Sequence, residues 1–162
     1  MGKILDYLMT GDWEKTQKIQ LYKKLGKLAE NFAGGDSVCV ILGDNIFEDS
    51  LKPYVKGFEK QGAGARLILK EVHDPQRYGV AEVQQNKIVN IEEKPQKPKS
   101  NLAVTGIYFY DNKVFSYVKT LKPSKRGELE ISDVNNKYIS DKNCSYDMFQ
   151  GFWTDAGTFE SL

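Results

Sequence analysis

Between Val38 and Leu42 five apolar residues follow one another without interruption. Such a run is too short for an independent helix and suits a strand enclosed on both faces, as in a parallel α/β sheet. Upstream, Leu25, Leu28, Ala29 and Phe32 recur at helical spacing, and Ala33-Gly34-Gly35-Asp36 stops the pattern. Asp49-Ser50 then opens a second helical stretch that carries Leu51, Tyr54, Val55 and Phe58 and closes near Gly62. The apolar segment Ala65 to Leu69 completes strand, helix and strand, one βαβ unit.

After His73-Asp74-Pro75 the period changes from 3.6 to 2. Val80, Glu82 and Gln84 alternate with Ala81 and Val83, and Ile88 to Ile91 supplies a second strand across a tight turn at Asn86-Lys87. Pro95 and Pro98 mark a loop before a strand from Ala103 to Tyr110. Helices are predicted over 113–120 and 129–140, and a short strand pair around 144–154. Residues 1–21 are harder to read, with scattered apolar positions and a turn signal at Thr10-Gly11-Asp12. With no repeat and no long linker, the 162 residues are expected to form a single α/β domain.

Composition narrows the function classes. The chain is 40% hydrophobic and 28% charged, which fits a packed domain rather than a disordered one. Its 23 basic and 22 acidic residues leave a formal charge of +1, so no global field draws it to nucleic acid or to an anionic membrane. No apolar stretch approaches the ~20 residues that span a bilayer, and the start Met1-Gly2-Lys3-Ile4-Leu5-Asp6 is not a secretory signal. The simplest compartment is cytoplasmic. Cys39 and Cys144 match no zinc or redox spacing, and Cys39 inside its apolar run reads as an inert thiol. His73, the single histidine, reads as an exposed loop residue.

Two short segments carry candidate chemistry. Leu42-Gly43-Asp44-Asn45 ends a strand, where open α/β sheets bind ligands, and glycine there permits close backbone approach. Asp44 or Asn45 could equally serve only to cap a turn. Downstream, Trp153-Thr154-Asp155-Ala156-Gly157-Thr158 places a second aspartate in a polar turn. Nothing in the spacing says that Asp44 and Asp155 converge.

Seven segments together are more specific. Val40 to Phe47, Asp74-Pro75-Gln76-Arg77-Tyr78-Gly79-Val80, Ile91-Glu92-Glu93-Lys94-Pro95, Ala103-Val104-Thr105-Gly106-Ile107-Tyr108, Lys122-Pro123-Ser124, Arg126-Gly127-Glu128-Leu129-Glu130-Ile131 and Trp153 to Thr158, with Pro98-Lys99-Ser100 besides, stand in a fixed order. In that order and at close to that spacing they resemble the sugar-1-phosphate nucleotidyltransferases, most nearly the glucose-1-phosphate thymidylyltransferases. The resemblance runs over residues 25–162, with 22–162 family-like in general and 1–21 atypical.

The resemblance implies a Rossmann-like, mixed and mostly parallel sheet that condenses dTTP with glucose 1-phosphate into dTDP-glucose and pyrophosphate. It implies Asp44 and Asp155 as ligands of Mg²⁺, and Tyr78 and Gly79 along the sugar pocket. Glu93 would bind sugar hydroxyls, Lys94 and Arg126 the phosphate, and Val104 would set backbone groups against the sugar. A phosphate oxygen is already ionised at pH 7, so positioning and charge neutralisation suffice and no protein nucleophile is demanded. Taken alone, Glu93-Lys94 could be an exposed pair, Tyr78-Gly79 a strand start, Arg126-Gly127 a loop before a helix, and Trp153 a core residue. A homo-oligomer is compatible with this reading.

The family's Gly-Gly-x-Gly-Thr-Arg loop, which grips the triphosphate through backbone amides, has no counterpart in residues 1–36, and Tyr22-Lys23-Lys24-Leu25 stands where the family has a Gly-x-Ala-Gln-Ala sequence. The resemblance therefore implies a domain truncated at both ends and missing the first nucleotide-binding βαβ. The expectations are an uncovered or substituted edge at Val38–Leu42, and transfer that is weak or absent in this chain alone. The alternative is a non-catalytic sugar-phosphate-binding remnant or regulatory module.

Overall fold

The computed structural model describes residues 26–124 and 127–156, together with the backbone of residues 3–7. Nine strands and four helices lie within these residues. The main sheet is ordered β1 (Lys3–Tyr7), β2 (Val38–Leu42), β7 (Leu102–Tyr110), β4 (Ala65–Glu71) and β8 (Cys144–Met148). β1 lies parallel to β2 and β4 parallel to β8, whereas β7 opposes both β2 and β4. Four of these five strands thus run the same way, and the sheet is mixed and mostly parallel in direction. β5 (Gly79–Gln84) extends from β7 and pairs with β6 (Lys87–Glu93), and β3 (Asn45–Phe47) forms a separate ribbon with β9 (Trp153–Asp155).

The edge of β2 is covered. Lys3 to Tyr7 stand opposite Val38 to Leu42 in parallel register, so the segment that reads poorly in sequence supplies a strand. β2 itself is less enclosed than its apolar run suggests, with only Val38 buried and the other four residues half-buried. The strand enclosed on both faces is β7, where eight of nine residues are buried. It lies between β2 and β4, so the predicted βαβ unit exists but its two strands are not neighbours.

Alternation along the central strands sends side chains into two cores. Leu67, Leu69, Val104, Tyr108 and Tyr110 pack with Val134 and Tyr138 of α4 (Ile131–Ser140), Val114 and Phe115 of α3 (Val114–Thr120), and Ala33 of α1 (26–33). On the opposite face Ile68, Ile107 and Phe109 meet Phe58 of α2 (Lys52–Gln61), with Phe149 and Trp153. Each large side chain removed from water in this way contributes roughly 1.5–3 kcal/mol before entropy is subtracted. α1 turns its alanines inward, leaving Leu28 56% and Phe32 49% exposed.

Local signals explain most boundaries. Gly62 at φ +82° closes α2, and its N–H reaches the carbonyl of Phe58. The β5–β6 hairpin turns through Gln85 and Asn86, at φ +48° and +60°. Positive φ at both central residues marks the hairpin turn whose twist matches the strands. It falls one residue earlier than Asn86-Lys87. The two short strands predicted around 144–154 form at Cys144–Met148 and Trp153–Asp155, but they pair with β4 and β3 rather than with each other.

Candidate functional site

Asp44 is exposed in the turn that follows β2. The chain then returns as β3, whose antiparallel register with β9 sets Asn45 opposite Asp155, Ile46 opposite Thr154 and Phe47 opposite Trp153. Beyond the ribbon, the backbone N–H of Ala156 donates to the carbonyl of Asp44 at 2.8 Å. Two aspartates distant in sequence are thereby brought side by side.

Asn45 organises this rim. Its Oδ1 accepts the indole N–H of Trp153 at 2.7 Å and the backbone N–H of Gly106 at 2.9 Å. Its Nδ2 donates to Asp44 Oδ1 at 2.9 Å. Two donors on one oxygen fix which way the amide faces, so the remaining –NH₂ is aimed at the carboxylate. Gly106 is needed for the approach, because a Cβ there would stand 2.2 Å from Asn45 Nδ2.

An aromatic wall continues from Trp153. Tyr78, at the end of the short 3₁₀ turn Pro75–Arg77, meets the indole edge-on with ring centroids 5.4 Å apart. The Arg77 guanidinium lies 5.5 Å from the Tyr78 ring centre and pairs with Asp74 at 2.9 Å. That hydrogen bond chiefly strengthens the Arg77 cation, and the field of Asp155 acts in the same direction. Burial raises the Tyr78 hydroxyl pKa, with Asp74 and Asp155 adding to the effect and Arg77 opposing it.

The other candidates line the adjoining hairpin. Gly79 stands opposite Glu93 in the β5–β6 ladder, and the N–H of Lys94 donates to the carbonyl of Tyr78 at 2.9 Å. Lys94 is exposed and left-handed, at φ +44°. Glu93 is half-buried and accepts a short hydrogen bond from Ser132, a buried hydroxyl on α4. Val104 is buried on β7, two residues before Gly106. Tyr108, further along that strand, is pushed above the ordinary tyrosine range by burial first, with the Glu93 and Asp44 carboxylates reinforcing the shift.

The structure therefore assembles Asp44 with Asp155, and Tyr78 and Gly79 with Glu93 and Lys94, on strands joined through β7. Arg126 lies outside the described residues. Among the described residues beside it, Gly127 N–H donates to Ser124 O at 2.8 Å and Ser124 N–H to Glu128 O at 2.8 Å. His73 is exposed. Burial pushes both thiols up to about 12, consistent with inert cysteines.

Several supporting residues carry no local sequence signal. Lys70 on β4 donates to the carbonyls of Gly151, Gln150 and Phe149 at 2.7, 3.3 and 3.4 Å, pinning the loop that leads into β9. Asn136 on α4 brackets Ile91, with Nδ2 to its carbonyl at 2.7 Å and Oδ1 from its N–H at 2.9 Å. Ser132 and Asn135 are buried on α4 beside Val134 and Tyr138, where polar groups need partners.

The donor set suits a hard divalent cation. Carboxylate oxygens are the ligands Mg²⁺ prefers, and it ordinarily keeps several positions for water and phosphate oxygens. Among the described residues no group of three or more His, Cys, Asp or Glu side chains could hold a metal ion. Asp44 and Asp155 offer oxygen donors of that type, on backbone segments that the β3–β9 register and the Ala156–Asp44 hydrogen bond bring near one another. No helix among the described residues is long and apolar enough to cross a membrane.

Comparison with known proteins agrees with this layout. Residues 25–162 match the family model described as nucleotidyl transferase. A glucose-1-phosphate thymidylyltransferase of Neisseria meningitidis serogroup A is 50% identical over 139 residues, covering 83% of this chain and 48% of the relative. A protein of the same name from Mycobacterium tuberculosis is 41% identical with the same coverage of both chains. The chain spans about half the length of the curated relatives it matches. Among solved structures, a Bacillus anthracis protein described as a glucose-1-phosphate thymidylyltransferase, crystallised with sucrose, superposes with TM-score 0.80 at 57% identity, covering 87% of this chain and 57% of that one. A UDP-glucose pyrophosphorylase complexed with UDP-glucose gives TM-score 0.73 at 26% identity, covering 82% and 55%.

Proposed function

Because the chain belongs to the nucleotidyl transferase family, we propose that it carries the sugar-phosphate and metal side of a glucose-1-phosphate thymidylyltransferase site, for the condensation of dTTP with glucose 1-phosphate to dTDP-glucose and pyrophosphate. The observation that carries the reading is the β3–β9 register, which opposes Asn45 to Asp155 and draws Asp44 alongside. The same reading places the transfer in the cytoplasm and is compatible with a homo-oligomeric assembly.

In this reading the acceptor phosphate oxygen attacks the α-phosphorus in line and pyrophosphate departs. Asp44 and Asp155 would hold Mg²⁺, which supplies charge neutralisation for the phosphates when bound. Asn45 orients the Asp44 carboxylate for that task. Glu93 accepts from sugar hydroxyls, and the Tyr78–Trp153 wall excludes water from one side of the ring. Lys94, exposed after β6, and Arg126 would meet the sugar phosphate as a point charge and a planar fork. The chain's contribution is orientation and charge, the terms that dominate phosphoryl transfer.

Calorimetric titration of the chain with glucose 1-phosphate and, separately, with dTTP and Mg²⁺ tests the proposal, alongside an assay for pyrophosphate release. Saturable glucose 1-phosphate binding that is lost in Glu93→Ala is expected. Binding of sugar phosphate without nucleotide binding or pyrophosphate release would assign the chain instead to a non-catalytic sugar-phosphate module. Absence of sugar-phosphate binding would sink both readings.

A further inference from the structure

Ser132 lies on α4, outside the strands and loops that carry the candidate ligands. It is buried, at 4% exposure, and its hydroxyl donates to Oε2 of the half-buried Glu93. One turn later on the same helix face, Asn136 brackets both the N–H and the C=O of Ile91. Helix positions 132 and 136 are thus matched to strand positions 93 and 91. The bidentate amide fixes the height of α4 along β6, and at that height the Ser132 hydroxyl meets one carboxylate oxygen.

The facing strand is cut to fit the pair. Gly79 stands opposite Glu93 in the ladder. A Cβ at Gly79 would lie 3.2 Å from Glu93 Oε2 and 3.2 Å from Ser132 Oγ, closer than ordinary packing allows. The space over the hydrogen bond exists because residue 79 has no side chain. A glutamate has three side-chain torsions, and freezing them at the moment of binding costs affinity that prior immobilisation saves. A hydroxyl that donates to the carboxylate before the sugar arrives contributes to that immobilising.

We propose that Ser132 is a positioning residue for sugar-phosphate recognition, acting through Glu93, with Asn136 setting the register that lets it do so. The proposal rests on the acceptor-site reading above and deepens it: the helix face, not only the hairpin, determines how the carboxylate is presented to a sugar hydroxyl.

The test compares the unaltered chain with Ser132→Ala, Ser132→Cys and Ser132→Thr. Three quantities are read: glucose 1-phosphate affinity by calorimetry, thermal unfolding, and Glu93 side-chain rotamer averaging by NMR with selectively ¹³C-labelled glutamate. Ser132→Ala is expected to weaken binding roughly tenfold, the usual size of one hydrogen bond to a charged group, and to increase rotamer averaging of the Glu93 side chain. Ser132→Cys fills the same space with a poor donor and should show the same loss, which protects the test if the alanine variant is unstable. Ser132→Thr keeps the hydroxyl and should restore both affinity and a single rotamer.

Unchanged affinity in Ser132→Ala and Ser132→Cys would overturn this inference while leaving the acceptor-site reading intact. A loss that Ser132→Thr does not rescue, with Glu93 still fixed in the alanine variant, would also overturn it by marking a packing effect. No binding by the unaltered chain would overturn the acceptor-site reading itself, and this inference with it.

Discussion

Trp153 donates its indole N–H to Oδ1 of Asn45 at 2.7 Å, and that contact links the buried core to the turn that carries the exposed Asp44. The same oxygen accepts Gly106 N–H at 2.9 Å, which leaves the amide one orientation. The position of a surface carboxylate is thus set by groups anchored in β7 and β9.

Gly106→Ala tests that dependence. The new Cβ would stand 2.2 Å from Asn45 Nδ2 and 2.9 Å from its Oδ1, so the amide must leave. Overpacking of this kind costs about 1–3 kcal/mol. Denaturant unfolding should show that loss. Mn²⁺ binding followed by electron paramagnetic resonance should weaken with it, and Mn²⁺ affinity equal to that of the unaltered chain would separate Asn45 from the cation.

Lys70→Met keeps the aliphatic stem but removes the ammonium that holds the carbonyls of residues 149 to 151. A destabilisation of about 1.5–3 kcal/mol is expected, as for hydrogen bonds that involve a charged group. The loss should be local, read as faster amide hydrogen exchange from Phe149 through Asp155 with little change in β7. Uniform acceleration across the sheet would show that Lys70 supports the whole fold instead.

Asp141 gives a pH-dependent prediction with a definite sign. The Tyr117 hydroxyl first, then Lys113, holds its carboxyl below the usual carboxylate range. A depressed folded-state pKa contributes stability that is present above the unfolded value, near 3.9, and is lost as pH falls through the folded value. Tyr117→Phe should therefore raise the Asp141 pKa measured by ¹³C NMR and flatten the loss of stability between about pH 4 and pH 2. Stability at pH 7 should fall only slightly, because the group is exposed and screened.

Cys39 and Cys144 have thiol pKa values pushed up to about 12 by burial. At pH 8 the thiolate fraction is then on the order of one in ten thousand, and the thiolate is the reactive form. Ellman's reagent should react slowly with the folded chain and rapidly, at two thiols, in denaturant. Fast reaction at one thiol in the folded state would show that its segment opens readily.

The elements were more legible than their partners. Helical spacing placed α2, and alternation placed β5 and β6, because both patterns depend on neighbours in the chain. Pairing depends on distant residues, so the strands at 144–148 and 153–155 were found while their ladders with β4 and β3 were not. The apolar run at Val38–Leu42 looked like the most enclosed strand, yet β7, diluted by Thr105, Gly106 and three aromatic residues, takes that place. Lys3–Tyr7 alternates too weakly to announce a strand and acquires its role from β2. At the candidate site, Asp44, Asp155, Tyr78, Glu93 and Lys94 stand in ordered motifs, which is what singles them out in the sequence. Ser132, Asn136 and Lys70 are not singled out in this way, since a serine, an asparagine or a lysine has meaning here only through what lies across the fold.

The insertion of β7 between β2 and β4 has a consequence for how the chain is made. β2, β4 and β5 each take hydrogen bonds from β7, which is the last of the four to be synthesised. At about 5–20 residues per second, the nascent chain spends a few seconds with β2 emerged, β4 emerging and the strand that joins them not yet free to pair. During that interval their open edges can pair with other chains. Vulnerability to misassembly should therefore peak in nascent chains that end just short of Leu102 and decline once Tyr110 has cleared the ribosome.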